Sequence, residues 1–195
     1  MNILVLGPQG CGKGTQAKRI SATYGIPHIS TGEMLREMKE LPTDLGRELK
    51  EVMDRGDLVN DELMVRLIED RLSRGDTVAG FVLDGFPRTM PQAEALEELL
   101  VEIGRKLDVV FDFQVPDHEV LIQRMLKRAE EESRSDDTPD AMKRRLELYD
   151  KETAPLIAYY RTHSANVAGV HADRTVEEVF EEIRRVLDSV EGRAA

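Results

Sequence analysis

The stretch GPQGCGKGT, residues 7–15, directly follows an apolar run over residues 3–6. It matches the phosphate-binding pattern GxxxxGK, which ends in Ser or Thr, at its glycines and at Lys13. The match then fails, because Gly14 stands where the pattern has a hydroxyl and the hydroxyl follows one residue later as Thr15. The stretch could therefore be a damaged nucleotide site, a chance glycine turn or a variant with its own meaning.

The surroundings of this stretch favour a phosphate site. An apolar strand before it and a helical pattern after it place the glycines where backbone N–H groups turn toward an anion at a helix N-terminus. Lys13 then supplies a positive charge for the outer phosphates. We therefore predict a phosphate cradle, with Gly14 leaving the backbone free directly after the lysine.

Composition limits the kind of protein that can carry this loop. The chain has 195 residues, of which 41% are hydrophobic, so we expect one core. Lys and Arg number 27 against 38 Asp and Glu, and the net charge of −11 argues against a general nucleic-acid surface. Phosphate binding would then require a local concentration of cations.

The sequence predicts neither a membrane segment nor a structural zinc site. Its apolar runs are too short for a membrane span, and no charged leader with a cleavage site precedes the first strand. We expect a soluble, cytoplasmic monomer. Cys11 is the only cysteine and the four histidines are scattered, so an internal disulfide and a zinc site are not expected. We interpret Cys11 as a small residue in a tight loop.

Apolar runs typical of strands alternate with helical patterns along the chain. The predicted strands cover residues 1–6, 26–29, 80–84, 109–115 and 165–170. Five predicted helices cover residues 13–24, 45–53, 61–72, 91–103 and 117–128, and Asn60 caps the third of them. Three further helices are predicted from their first residues: one begins at the capping box of Ser30 and Glu33, and the last begins at Thr175 and Glu178. The third is a long helix that begins at Thr138 and Pro139 and is kinked at Pro155. This order predicts an α/β fold with a mostly parallel sheet covered on both faces. Ligands bind beyond the carboxyl ends of such strands.

A second motif, LDGFPRT over residues 83–89, follows another predicted strand. Asp84 at the strand end can hold Mg²⁺ directly or through water, and Arg88 offers a planar fork for two phosphate oxygens. Taken singly, the acid could belong to a turn and the arginine to a surface ion pair. Together, after a phosphate loop, they indicate a phosphoryl-transfer site.

Four later arginines are candidates for the required local cations. Arg124 and Arg128 are four residues apart on a predicted helix and share a face, Arg134 lies in the loop SRSDD, and Arg145 lies on the next helix. Spacing alone leaves an ordinary solvated helix surface equally open.

The chain resembles the adenylate kinases. The motifs GPQGCGKGTQ, STGEMLR, GDLVNDEL, LDGFPRT with PQA, and RSDD occur in the family's order over nearly the whole chain. In that family the loop has the form GxxGxGKGT, so the displaced hydroxyl is the family's own variant. The resemblance implies a three-layer P-loop fold with a mainly parallel five-stranded sheet. It also implies a single kinase domain over residues 1–195, with a core (1–29, 60–127, 138–195), a mobile AMP-binding segment (30–59) and a short mobile lid (128–137).

The resemblance also implies an activity and its residues. The activity is reversible phosphoryl transfer from Mg·ATP to AMP by direct in-line attack, giving two ADP. The implied catalytic residues are Lys13, Asp84, Arg88, Arg128, Arg134 and Arg145. The implied ATP ligands are Gly10, Cys11, Gly12, Lys13, Gly14, Thr15, Arg124, Arg128 and Asp173. The implied AMP ligands are Thr31, Arg36, Asp57, Leu58, Val59, Gly85, Phe86, Pro87, Arg88, Gln92, Arg134 and Arg145. Asp84 is expected to order Mg²⁺ through water, and Thr15 to contact the ATP phosphates or the ion.

Two departures from the family and two alternative functions stay open. The lid carries Glu130–Glu132, which either forms an exposed helix end or weakens lid closure, and residues 170–174 lack the family's usual Asp-Gly. UMP/CMP kinases usually carry Ala at the position of Thr31 and Asn at that of Thr89, so AMP is favoured, although a broader nucleoside monophosphate kinase is an alternative. A non-catalytic switch protein would recognise guanine through NKxD, which the sequence lacks.

Overall fold

A parallel sheet forms the centre of the computed structural model, which describes residues 1–132, 136–163, 166–190 and 192. In these residues the sheet has five strands in the order β2-β3-β1-β4-β5, and every neighbouring pair is parallel. The strands are β1 Asn2–Leu6, β2 His28–Ser30, β3 Phe81–Asp84, β4 Val109–Gln114 and β5 Asn166–His171. The predicted α/β class and five-stranded sheet are confirmed.

The two faces of β1 enter two different cores because side chains alternate along a strand. Ile3 and Val5 pack into the core that α1 and α9 cover, whereas Leu4 and Leu6 pack into the core on the other face. A strand buried on both faces needs a continuous apolar sequence, which is the pattern of residues 3–6.

Helices fill the layers on both sides of the sheet. The α-helices are α1 Lys13–Tyr24, α2 Thr31–Lys39, α3 Asp44–Asp54, α4 Asp61–Leu72, α5 Met90–Glu102, α6 His118–Glu132, α7 Pro139–Leu148, α8 Leu156–His163 and α9 Val176–Val190, with a 3₁₀ turn at Gly75–Thr77 and a π-helical turn at Tyr149–Thr153. The predicted N-terminal caps of α2, α4 and α9 are confirmed. Ser30 accepts from the N–H of Glu33, Asn60 from that of Leu63, and Thr175 forms a reciprocal capping box with Glu178.

One predicted helix end is wrong. Helix α6 continues past Arg128 to Glu132, because the glutamates there are good helix formers and carry no stop signal. The long helix is interrupted at Pro155 as predicted, and α8 begins at Leu156. The prediction did not include the π-helical turn before Pro155, where the N–H of Ala154 donates to the carbonyl of Tyr149 at 2.8 Å.

The observed strand boundaries differ from the predicted ones by at most two residues. Strand β2 begins at His28 and ends at Ser30, and β5 runs from Asn166 to His171. Ala165, predicted as the start of the last strand, lies outside the described residues. Among the described residues, no helix combines the length and apolar character needed to cross a membrane.

The register of the sheet aligns the strand ends that carry the candidate site. Val5 of β1 and Ser30 of β2 are both register partners of Asp84 at the end of β3. The loop after β1, the start of α2 and the motif after β3 therefore meet at one edge, beyond the carboxyl ends of the strands.

Candidate active site

A cavity of about 750 Å³ opens at this edge. Most of the expected ligands line it: Gly10, Cys11, Gly12, Lys13, Gly14, Thr15, Thr31, Arg36, Asp57, Leu58, Val59, Asp84, Gly85, Pro87, Arg88, Gln92, Arg124, Arg128 and Arg145. Of the described residues expected here, Phe86 and Asp173 do not line the cavity, and Phe86 is buried in the core below it. Arg134 lies outside the described residues.

The loop between β1 and α1 has the conformation of an anion cradle. Gly10 has φ 83°, and a Cβ there would lie 2.7 Å from the carbonyl oxygen of Leu121, so only glycine fits. Gly12 precedes α1 in a left-handed conformation and has no side chain to cap it. The N–H groups of the first turn are therefore available to an anion at the positive end of the helix.

Lys13 holds its ammonium group inside the loop. Its Nζ donates to the carbonyl oxygens of Gly7 at 2.6 Å and Pro8 at 2.8 Å. The positive charge is thus fixed at the rim of the cradle by neutral backbone groups.

Gly14 does not have a positive φ, so the predicted need for backbone freedom does not explain it. A Cβ at this position would lie 3.5 Å from Asp84 Oδ2, which is an ordinary van der Waals contact. The first turn of α1 therefore lies directly against the carboxylate at the end of β3.

The carboxylate of Asp84 is almost enclosed, with 13% of its side chain exposed. His28 Nε2 lies 3.5 Å from Asp84 Oδ2. Burial by itself raises the pKa of Asp84, but His28, Lys13 and Arg88 outweigh burial and hold that pKa below its usual range. Asp84 is therefore an anion at neutral pH.

Arg88 is held at the floor of the cavity. Its Nε donates to Gly85 O at 2.8 Å, and its own carbonyl accepts from Thr153 Oγ1 at 2.9 Å, which the π-helical turn carries to this point. Burial and the neighbouring Arg145 and Arg36 lower the pKa of Arg88 to about 10, against the opposing effect of Asp84. The positive charge of Arg88 is therefore only partly balanced by negative charge in the free protein, which suits this side chain to binding an anion.

Gly85 brings the two sides of the acceptor region together. It has φ 85°, and a Cβ would lie 2.6 Å from Thr31 Oγ1. Thr31 Oγ1 donates to Asp84 O at 3.3 Å. The start of α2 and the motif after β3 can approach this closely because residue 85 has no side chain.

Two neighbouring acids hold the arginines on α6 and α7. Arg128 donates to Asp137 Oδ2 from Nη2 at 2.6 Å and from Nε at 3.0 Å. Arg145 binds the other Asp137 oxygen from Nη1, and its Nη2 lies 2.7 Å from Asp136 Oδ2. The pairing orients both guanidinium groups toward the cavity and leaves other N–H groups for a ligand.

Arg124 marks the opposite end of the cavity. Its Nη1 donates to Ala172 O at 2.8 Å, joining α6 to the loop after β5. Ala172 and Arg174 line the cavity on either side of Asp173. Of the acidic run at the end of α6, Glu131 and Glu132 also line it, which favours an influence on the ligand over an outward-facing helix end.

Sequence reasoning gave no role to several side chains that shape the site. Asp136 and Asp137 belong to the RSDD motif, so two acids beside an arginine were the available signal. His28 and Asp61 had no local signal, because their partners Asp84 and Gln92 are 56 and 31 residues away.

Comparison with known proteins identifies the kind of chain that carries this geometry. A family model described as adenylate kinase matches residues 5–165. The chain is 45% identical over 188 residues to the adenylate kinase of Maricaulis maris, covering 96% of this chain and 99% of the relative. It is 44% identical to that of Xanthomonas campestris, with 96% and 99% covered. It is 40% identical over 216 residues to that of Archaeoglobus fulgidus, with 97% and 99% covered.

Proposed function

The chain belongs to the adenylate kinase family, and we propose that it catalyses reversible phosphoryl transfer from ATP to AMP, giving two ADP. The observation that carries this proposal is a single cavity that joins an anion cradle, an ionised acid and several cations in a protein with net charge −11. The relatives are named as kinases, which favours a catalyst over a non-catalytic nucleotide-binding protein.

The donor nucleotide is proposed to occupy the side of the cavity next to α1. Residues 10–15 would bind the ATP phosphates through backbone N–H groups, and Lys13 would neutralise charge on the group in transit. Arg124, Ala172 and residues 174–176 would form the surface for the donor base, because they meet at that end of the cavity.

The acceptor is proposed to bind between α2 and the motif after β3. Arg36 and Arg88 would hold the AMP phosphate, since both line this half of the cavity and the positive charge of Arg88 is only partly balanced in the free protein. Thr31, Gln92 and the backbone of residues 57–59 would surround the nucleoside.

Magnesium is the proposed cofactor, and the groups at Asp84 fit it. Mg²⁺ usually takes one or two carboxylates together with waters and substrate phosphates. Asp84 is ionised and faces the first turn of α1, which also carries Thr15. Asp84 would order the ion through water, while Thr15 would contact mainly the phosphates. The ion neutralises charge on the transferring group when bound.

The protein's part in the reaction is to position two anions and neutralise their repulsion. Arg128 and Arg145, oriented by their acids, would close on the phosphates with Arg134. We propose that residues 30–59 and the lid of residues 128–137 move over the nucleotides and exclude water. A monomer stays the proposed active unit. The cytoplasmic location stays a prediction.

A bisubstrate analogue of two adenosines joined by five phosphates tests the two-nucleotide cavity. A ligand that binds only the folded protein raises the melting temperature by mass action. We expect a larger shift with the analogue than with equal concentrations of ATP or AMP alone. An unchanged melting temperature at saturating analogue would remove the proposed function.

A further inference from the structure

The side-chain amide of Gln92 is held at both ends. Gln92 is 2% exposed and lines the acceptor half of the cavity. Its Nε2 donates to Asp61 Oδ1 at 2.7 Å, and its Oε1 accepts from the backbone N–H of Arg88 at 2.8 Å. The two ends of the amide therefore have different partners on different elements.

Asp61 is placed to act as a hydrogen-bond acceptor. It is the first residue of α4, where the helix dipole favours a carboxylate. Its Oδ1 also accepts from Thr89 Oγ1 at 3.1 Å. One oxygen thus receives hydrogen bonds from both Thr89 and Gln92.

The chemistry of these partners allows one orientation of the amide. An ionised carboxylate only accepts, so it must face the NH₂ end of Gln92. A backbone N–H only donates, so the N–H of Arg88 must face the oxygen end. Rotating the amide by half a turn would set oxygen against the Asp61 carboxylate and NH₂ against an N–H, with both hydrogen bonds lost.

We propose that Asp61 is a positioning residue that makes the acceptor site select 6-amino over 6-oxo purine nucleotides by fixing the amide of Gln92. This inference rests on the proposed function. Nε2 keeps one hydrogen and Oε1 one lone pair beyond the contacts described. Adenine complements this pair with its N1 acceptor and 6-amino donor, whereas hypoxanthine and guanine present an N1–H donor and a 6-oxo acceptor.

The amide could recognise a 6-oxo purine only in the opposite orientation. Asp61 makes that orientation unfavourable, because it would place a carboxylate against the amide oxygen. A site whose polar groups are fixed in this way rejects a mismatched ligand strongly, since buried donors and acceptors are left unpaired. Asp61 therefore acts on the base through Gln92, without touching the nucleotide.

Inosine monophosphate is the matched probe, because it differs from AMP only in the exchange of the 6-amino for a 6-oxo group and the proton on N1. We would measure kcat/KM for AMP and for inosine monophosphate at saturating Mg·ATP in the unmodified protein, Asp61→Asn and Asp61→Leu. Asparagine at 61 can donate as well as accept, and leucine can do neither. The AMP to inosine monophosphate ratio should fall several-fold in Asp61→Asn and about tenfold or more in Asp61→Leu.

Glu62→Gln is the control, because it removes the same charge at the next residue, where the side chain is 73% exposed and pairs with Arg66. It should leave the ratio unchanged. Equal losses for both acceptors in Asp61→Asn, or an unaltered ratio in a folded Asp61→Leu, would overturn the inference. If the unmodified protein does not phosphorylate AMP, the proposed function fails instead, so the two failures are distinguishable.

Discussion

Lys39 Nζ lies 3.2 Å from Asp136 Oδ1, and each side chain is 3% exposed. The contact joins the end of α2, in the proposed AMP-binding segment, to the residues that precede α7. Asp136 also binds Arg145, so one buried carboxylate links a cation of the acceptor segment to a cation of the cavity.

Replacing Lys39 with methionine should lower the free energy of unfolding by about 1–3 kcal/mol, because a buried carboxylate loses one of its partners. Urea denaturation measures the change. Lys18→Met is the matched control, since Lys18 pairs with Glu33 at 2.8 Å but is 64% exposed. The control should cost less than about 1 kcal/mol. Equal losses in the two variants would contradict a structural role for the buried pair.

The Asp136 carboxylate should make the folded protein less stable in acid. Burial raises the pKa of Asp136, but Arg145 and Lys39 outweigh it and lower that pKa in the folded protein. The unfolded chain therefore binds the proton more readily, so stability is full above the unfolded pKa of about 4 and declines as pH falls through the lower folded pKa. Asp136→Asn should be less stable at pH 7 and show a shallower decline below pH about 4 in urea titrations. Parallel curves for both proteins would contradict the assignment.

Lys13→Met should lower kcat by about 100-fold or more while the fold persists, because the proposed cation at the transferring group is lost. Circular dichroism checks the fold and a coupled ADP assay the turnover. Lys106→Met, an exposed position away from the cavity, should keep full activity. Near-normal turnover in Lys13→Met would remove this residue from the mechanism.

Arg88→Met should lower kcat/KM for AMP without lowering the free energy of unfolding of the free protein. The folded state lowers the pKa of Arg88 to about 10, so the charged side chain disfavours folding at every lower pH. We expect stability in urea at least equal to that of the unmodified protein, with kcat/KM for AMP reduced about 100-fold or more. Arg105→Met provides the contrast, because Arg105 donates to Thr77 O at 2.9 Å away from the cavity. It should lower stability and spare activity.

The acidic end of α6 should weaken donor binding. Glu131 and Glu132 line the cavity that would receive polyphosphate. Changing residues 130–132 to Gln should lower KM for Mg·ATP a few-fold at low salt, and less at high salt because the ions screen these exposed charges. A triple Gln variant at the exposed positions 94, 98 and 102 of α5 makes the same charge change elsewhere and should have no effect. Unchanged affinity and turnover in the lid variant would refute the idea.

The local parts of the fold could be predicted from sequence because their causes are local. Helix α1 was bounded correctly by the loop before it and by Gly25, which ends it in a left-handed conformation. Helix α4 followed from Asn60 and its apolar face. The predicted end of α6 was wrong because a run of glutamates continues a helix without marking its end.

The candidate site was predictable where motifs lie at strand ends, as for Lys13 and Asp84. Contacts between distant residues were not predictable, because a single sequence contains no signal for partners such as Lys39 and Asp136, 97 residues apart.

The most direct test of the proposed activity is ADP formation from Mg·ATP and each of AMP, UMP, CMP and GMP, followed by the same AMP assay with GTP as donor. The account predicts two ADP formed for each AMP consumed, AMP as the only efficient acceptor, and the reverse reaction from ADP alone in the presence of Mg²⁺. No ADP from AMP, or equal rates with UMP or CMP, would contradict it.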